Sequence, residues 1–159
     1  MVSSHDPADP GGEVARVVAA RARLDDSIIG YNRHARLAAQ YRVAVERFER
    51  ARENFENLRA GVSVTHEAAS AMKHAIELER LRSARETTAQ HRTGVQVAVR
   101  AYVHSLRDEG ISPERVLVAV KGRLMHAVTA AAPDAPRLEA IQLAEDVSRW
   151  AIAALFEAA

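Results

Sequence analysis

Apolar positions recur at alternating steps of three and four residues over two long stretches, 13–59 and 64–108. In the second stretch Ala71, His74, Leu78, Leu81, Arg85, Thr88, Arg92, Val95, Val99, Tyr102 and Leu106 follow this rule. A 3.5-residue repeat keeps such side chains on one seam facing a partner helix. In the first stretch the seam runs through Val14, Val17, Arg21, Leu24, Ile28, Tyr31, Ala35 and Ala38. Two three-residue steps then follow in a row, Ala35 to Ala38 to Tyr41, before the seam resumes at Val45, Phe48, Arg52 and Phe55. The doubled short step reads as a stammer, which overwinds a coiled coil locally. Only residues 60–63 separate the stretches, so they predict an antiparallel hairpin with arms of roughly 70 Å at 1.5 Å per residue.

Local signals punctuate this pattern. Asp25-Asp26-Ser27 followed by Gly30 prefers caps and turns, and offers a break in the first helix. Gly61 and Ser63 mark the hairpin tip. Asp108-Glu109-Gly110 ends the second helix. Ser112-Pro113-Glu114 then starts a third, with a Ser cap, Pro at the first helical position and an acid in the first turn. This helix spans 113–131, and a Pro133–Pro136 turn leads to a fourth over 136–158. Val116, Leu117, Val118, Val120, Leu124 and Val128 make helix three apolar almost all round, which predicts the most buried element. The expected fold is all-α. A long antiparallel coiled-coil hairpin and a shorter C-terminal helical hairpin together form a four-helix bundle at the base. There Val17, Val18, Leu24, Ile28 and Ile29 should face Val95, Val97, Val99, Tyr102, Val103 and Leu106. Residues 13–159 read as a single helical domain. Residues 1–12, with Pro7, Pro10, Gly11 and Gly12, read as a disordered tail and not as a signal peptide.

Composition thins the picture. Hydrophobic residues make up 48% of the chain but aromatics only 4%, and Ala supplies much of the rest. Alanine faces pack closely yet bury little area, so a narrow seam is expected. Arg outnumbers Lys 20 to 2 while the net charge is only +1. A nucleic-acid domain is usually far more basic, so Arg-favouring codons of a GC-rich bacterial genome explain the bias more simply than phosphate recognition does. The absence of cysteine excludes disulfides, thiolate catalysis and thiolate metal sites, and fits a cytoplasmic location. The apolar run 150–156 is too short to span a bilayer. The acidic fourth helix disfavours membrane-surface binding.

Charge is unevenly spread. Residues 80–107 carry six Arg and one acid, Glu86, whereas 134–159 carry two Arg and five acids. No acid lies between Asp26 and Glu46. Folding the hairpin near residue 61 brings position 33 near 89 and position 42 near 80. Arg33, Arg36, Arg42, Arg82, Arg85 and Arg92 would then form a basic belt midway along the hairpin, able to hold an anion. Alternatively, acidic helix four packs on helix two and neutralises it through Glu139, Glu145, Asp146 and Glu157, or the Arg stems simply cover the Ala-rich seam. Arg85 and Arg92 fall on the seam itself, opposite Ala35 and Ala38. Either they snorkel outward or the seam opens there.

Chemistry is otherwise sparse. A di-metal carboxylate bundle needs Glu-x-x-His on one inward face, and none of the seven histidines has Glu three residues before it. His66 and His74 lie eight apart and off one face; His74 reads as a polar seam residue. Lys121-Gly122 stands as in the His-x-x-Lys-Gly of histidine phosphotransfer bundles, but Val118 takes the place of the His, so no phosphotransfer is expected. For Gly122 close helix packing is the simpler role. No phosphate loop or nucleophile motif is present. The sequence therefore names no catalytic, cofactor-binding or metal residue. It points to a non-enzymatic helical interaction or assembly module. Such a module self-associates, with a dimer favoured, or pairs with a helical protein. Phe48 and Phe55 near the arm tip and Trp150 on helix four are the interface candidates. The alternative is a binder of anionic ligands or nucleic acid through the basic belt.

Overall fold

The computed structural model describes residues 10–57, 64–130 and 137–157. Four helices account for nearly all of them: α1 (Pro10–Asn57), α2 (Val64–Asp108), α3 (Pro113–Ala130) and α4 (Arg137–Phe156). No strand occurs among the described residues, and the fold is all-α. α1 and α2 pair antiparallel. Gly30 and His34 of α1 meet His91 of α2, and Phe48 meets His74 further up. This is the pairing expected from a fold near residue 61.

α1 runs unbroken through the expected weak point at Asp25–Gly30. The turn-forming residues there are put to other uses. Asp25 accepts hydrogen bonds from Arg123 of α3, with Arg123 Nε 3.1 Å from Oδ1. A Cβ at Gly30 would lie 3.2 Å from Nδ1 of His91, so the glycine lets the two long helices approach closely. Leu24 and Ile28, both fully buried, hold this stretch helical. Burial of two large aliphatic side chains, about 1.5–3 kcal/mol each, outweighs the weak local preference for a turn. α1 also starts earlier than expected, at Pro10, a position that needs no backbone donor. Residues 1–9 of the expected tail lie outside the described residues.

The α2–α3 corner follows its sequence signals closely. Gly110 adopts φ 74°, the left-handed conformation that glycine tolerates best. Its N–H donates to the Arg107 carbonyl (2.8 Å), and the Ile111 N–H donates to the Leu106 carbonyl (3.1 Å), which is a Schellman cap. Ile111 then packs against the core. Across the corner the Ser112 carbonyl accepts the first bond of α3, from Val116 N–H. The Glu114 carboxyl is held below its usual range by its own backbone amide and by Ser112.

The core lies at the base. Leu24 and Ile28, Val95, Val99 and Val103, Val116 and Val120, and Leu143, Val147 and Ala151 bring all four helices into one cluster. Above Ala35 only Val45 and Leu81 are buried apolar residues among those described. The base is thus a four-helix bundle and the upper hairpin a thin two-helix arm.

Several expectations about faces are corrected. α3 is not the most buried element. It packs through Val116, Val120, Leu124 and Ala127, while Val118 (71% exposed) and Met125 (66%) point away. All three other helices contact α3. Val18, Ile29 and Val97 likewise lie outside the core, as do the seam positions Val14 and Leu78. Gly122 is not a packing glycine, because a Cβ there meets nothing within 4 Å, and the same holds for Gly94. Gly94→Ala and Gly122→Ala should each raise stability by about 0.5–1 kcal/mol through the helix-propensity gain alone. Urea unfolding checks this; a lowered midpoint in either variant would mean that the helix surface there is occupied.

Candidate functional site

Midway along the hairpin the two helices leave a gap. It coincides with the doubled short step of α1, where Ala35, Ala38 and Ala39 face Thr88 and Ala89 of α2. With only small side chains on both walls the interhelical space stays unfilled, and an open cleft of ≈ 260 Å³ results. Tyr31 closes the lower end. Arg42, Arg85 and Arg92 stand around it, and no carboxylate lines it. The seam of α2 passes here through half-buried His91, so Arg85 and Arg92, expected on the seam itself, are displaced to its edge and exposed.

The three arginines are held differently. Arg92 reaches α4, where its Nε donates to Asp146 Oδ2 at 3.0 Å. Its guanidinium also lies 5.7 Å from the centroid of the Trp150 ring, a cation–π distance. Asp146 is itself buried and receives a longer contact from Arg149 at 3.8 Å. Arg42 already has an interaction within the chain. Arg85 has no ion pair or hydrogen bond among the described residues.

The six-residue belt is therefore not one surface. Arg42, Arg85 and Arg92 line the cleft, while Arg33, Arg36 and Arg82 stand outside it. Arg82 pairs with Glu86 on the solvent side of α2. Arg33 is exposed, and Arg36 is half-buried with a buried Nη2 that finds no hydrogen-bond acceptor among the described residues. Helix four neutralises α2 at Arg92 and again at the base. There Glu157 accepts from Arg100, with Nε 3.1 Å from Oε2, and lies near His104. The Arg100 bond holds the Glu157 carboxyl below its usual range. Arg107 Nη1 donates to the carbonyls of Ala154 and Glu157, which satisfies the C-terminal end of α4.

Below the cleft the His34 and His91 rings stack at 4.3 Å. His34 sits below its ordinary value of 6.5, chiefly through desolvation and then through the neighbouring His91 and Arg33. The native state thus favours the neutral imidazole. Between the lowered native value and 6.5 the unfolded chain binds more protons, so stability falls as pH drops through that window. Urea midpoints at about pH 7.5 and about pH 5.5 should differ more in the unmodified chain than in His34→Gln. Equal differences would mean that the pair carries none of the pH dependence.

The expected interface residues fare unevenly. Phe48 is half-buried and stacks on His74 at 5.9 Å, so it serves the hairpin's own seam. The Phe55 side chain lies outside the described residues. Trp150 is half-buried and packs on the core under Arg92. The apolar surface of α4 lies elsewhere, at Ile141 (56% exposed), Ile152 (47%) and Phe156 (84%). With Glu145 and Arg149 these residues follow steps of four, four, three and four along one outward stripe. The spacing rule of the long seams is visible in the sequence of this stripe as well.

Among the described residues no group of three or more His, Asp or Glu side chains could hold a metal ion. No described helix is long and apolar enough to cross a membrane. The sequence matches no protein-family model, no curated protein and no solved structure.

Proposed function

We propose that this chain is a non-enzymatic helical assembly module that pairs with a second copy of itself through the outer face of α4. The supporting observation is the stripe of Ile141, Ile152 and Phe156 on a helix whose opposite face is already committed to the core. Burying one large apolar side chain of this kind is worth about 1.5–3 kcal/mol, and a two-fold axis buries each residue twice. The stripe is self-complementary. Turning one copy antiparallel about an axis near residue 147 brings Ile141 to within one residue of Ile152 of the other copy. Glu145 comes level with Arg149. In an isologous contact each such pairing occurs twice, so apolar rows and opposite charges match at both ends. Arg149 is available for this role, since its contact to Asp146 is long and its side chain is 73% exposed.

Light scattering on the eluting protein tests the proposal. The unmodified chain should show twice the 17.4 kDa chain mass. Changing Ile152 and Phe156 together to Asp should return it to the monomer mass, and Val118→Asp on the outer face of α3 should leave the dimer intact. A monomer at all micromolar concentrations, or a dimer indifferent to the α4 changes, would refute α4 pairing.

A further inference from the structure

We infer that the cleft between α1 and α2 is a binding site for a small phosphate monoester, separate from the assembly surface of α4. Arginines from both helices line it, Arg42 on one wall, with an interaction of its own within the chain, and Arg85 and Arg92 on the other. Planar guanidinium forks match the oxygens of a phosphate, and charge-assisted bonds of this kind are the strong ones. Arg92 is already fixed between Asp146 and the Trp150 ring, so little rotamer freedom is left for a ligand to remove. Arg85, in contrast, is a cation with no carboxylate partner among the described residues.

The rest of the cleft selects the organic part. Its floor is alanine methyl groups, which offer dispersion and desolvation but no hydrogen bond. A volume of ≈ 260 Å³ suits a headgroup with a short apolar or ring-sized body. A nucleic-acid strand fits less well. Its charge is spread evenly along a backbone, and a binding surface must track it with a row of cations. Here the row stops, because Arg33, Arg36 and Arg82 stand outside the cleft.

Titration calorimetry with phenyl phosphate tests the site, with inorganic phosphate and a short single-stranded oligonucleotide as comparisons. Phenyl phosphate should bind one per chain and more tightly than inorganic phosphate. Arg85→Ala should weaken it about tenfold or more. Ala89→Leu, which fills the cleft from an exposed helix position, should abolish it, and Arg82→Ala should leave it unchanged. Circular dichroism confirms that each variant keeps its helices. Absence of binding, or affinity unchanged in Arg85→Ala and Ala89→Leu, overturns the site. Inorganic phosphate binding as tightly as phenyl phosphate overturns the role of the apolar floor. An oligonucleotide binding more tightly than phenyl phosphate, with a steep salt dependence, overturns the monoester in favour of nucleic acid. The oligomer mass is read separately, so failure here and failure of α4 pairing are distinguishable.

Discussion

Leu24→Ala is expected to cost about 2–5 kcal/mol of folding stability. Leu24 is fully buried and belongs to the one cluster in which all four helices meet. Its truncation removes apolar contact and leaves a cavity that the surrounding helices cannot close without losing their own packing. A comparison within the same hairpin sharpens the expectation. Leu81 is nearly as buried, but it sits in the thin arm, where Val45 is the only other buried apolar residue described. Two helices can close on a small void more easily than four, and water can reach it. Leu81→Ala should therefore cost less, about 1–2 kcal/mol. Urea unfolding of the two variants measures the difference. Equal losses would mean that arm and base are one cooperative unit with a continuous core.

Ala151→Asp is expected to have the second large effect, the undocking of α4. Ala151 has no exposed surface and faces the bundle core. An aspartate there would put an unpaired carboxylate among apolar side chains, which costs about 3–5 kcal/mol when no partner relieves it. The cheaper outcome for the chain is to release the helix. Trp150 is the only tryptophan and lies beside this position under Arg92, so its emission reports the event directly. It should shift to the red, while circular dichroism retains most of the α1–α2 helical signal. An unshifted emission would show that α4 docks through some other face.

The residues explain why the architecture was legible in the sequence while parts of the surface were not. Helix boundaries at Gly110, Ser112 and Pro113 rest on local backbone chemistry, and local chemistry is what a sequence displays. The seam positions at the base, Leu24, Ile28, Val95, Val99, Tyr102 and Leu106, were legible from their spacing and are buried, whereas Val14, Leu78, Arg85 and Arg92, assigned by the same spacing, are exposed. The possible break at Asp25–Gly30, which local signals left open, does not occur, for a tertiary reason. Asp25 is engaged by Arg123, and Gly30 gives room to His91; neither partner is near in sequence. The burial of α3 was overestimated because an all-round apolar composition says nothing about how many neighbours are present. Val118 and Met125 are exposed, while Val116, Val120, Leu124 and Ala127 take the packing contacts.

The candidate site divides in the same way. Small residues at Ala35 and Ala38 opposite Arg85 and Arg92 left two alternatives, arginines snorkelling outward or an open seam, and the structure has a cleft there with both arginines exposed. Which arginines border it depends on rotation of α2 by part of a turn, a quantity that the seam pattern leaves loose. That rotation puts Arg85 and Arg92 at the edge and His91 in the seam. Trp150 and Phe48, interface candidates as large aromatic residues, are half-buried and take part in the chain's own packing, through the core and through His74.

The most direct test of α4 pairing uses the absence of cysteine from the chain. A single cysteine replaces Ser148, close to the proposed two-fold axis, and a second variant carries it at Met72 on the arm, where the side chain is exposed. Each is treated with a short bismaleimide at low protein concentration and its covalent mass is read. Antiparallel α4 pairing predicts a cross-linked dimer from Ser148→Cys and monomer from Met72→Cys. Efficient cross-linking at Met72 with none at Ser148 would contradict it and place the contact between copies on the arm.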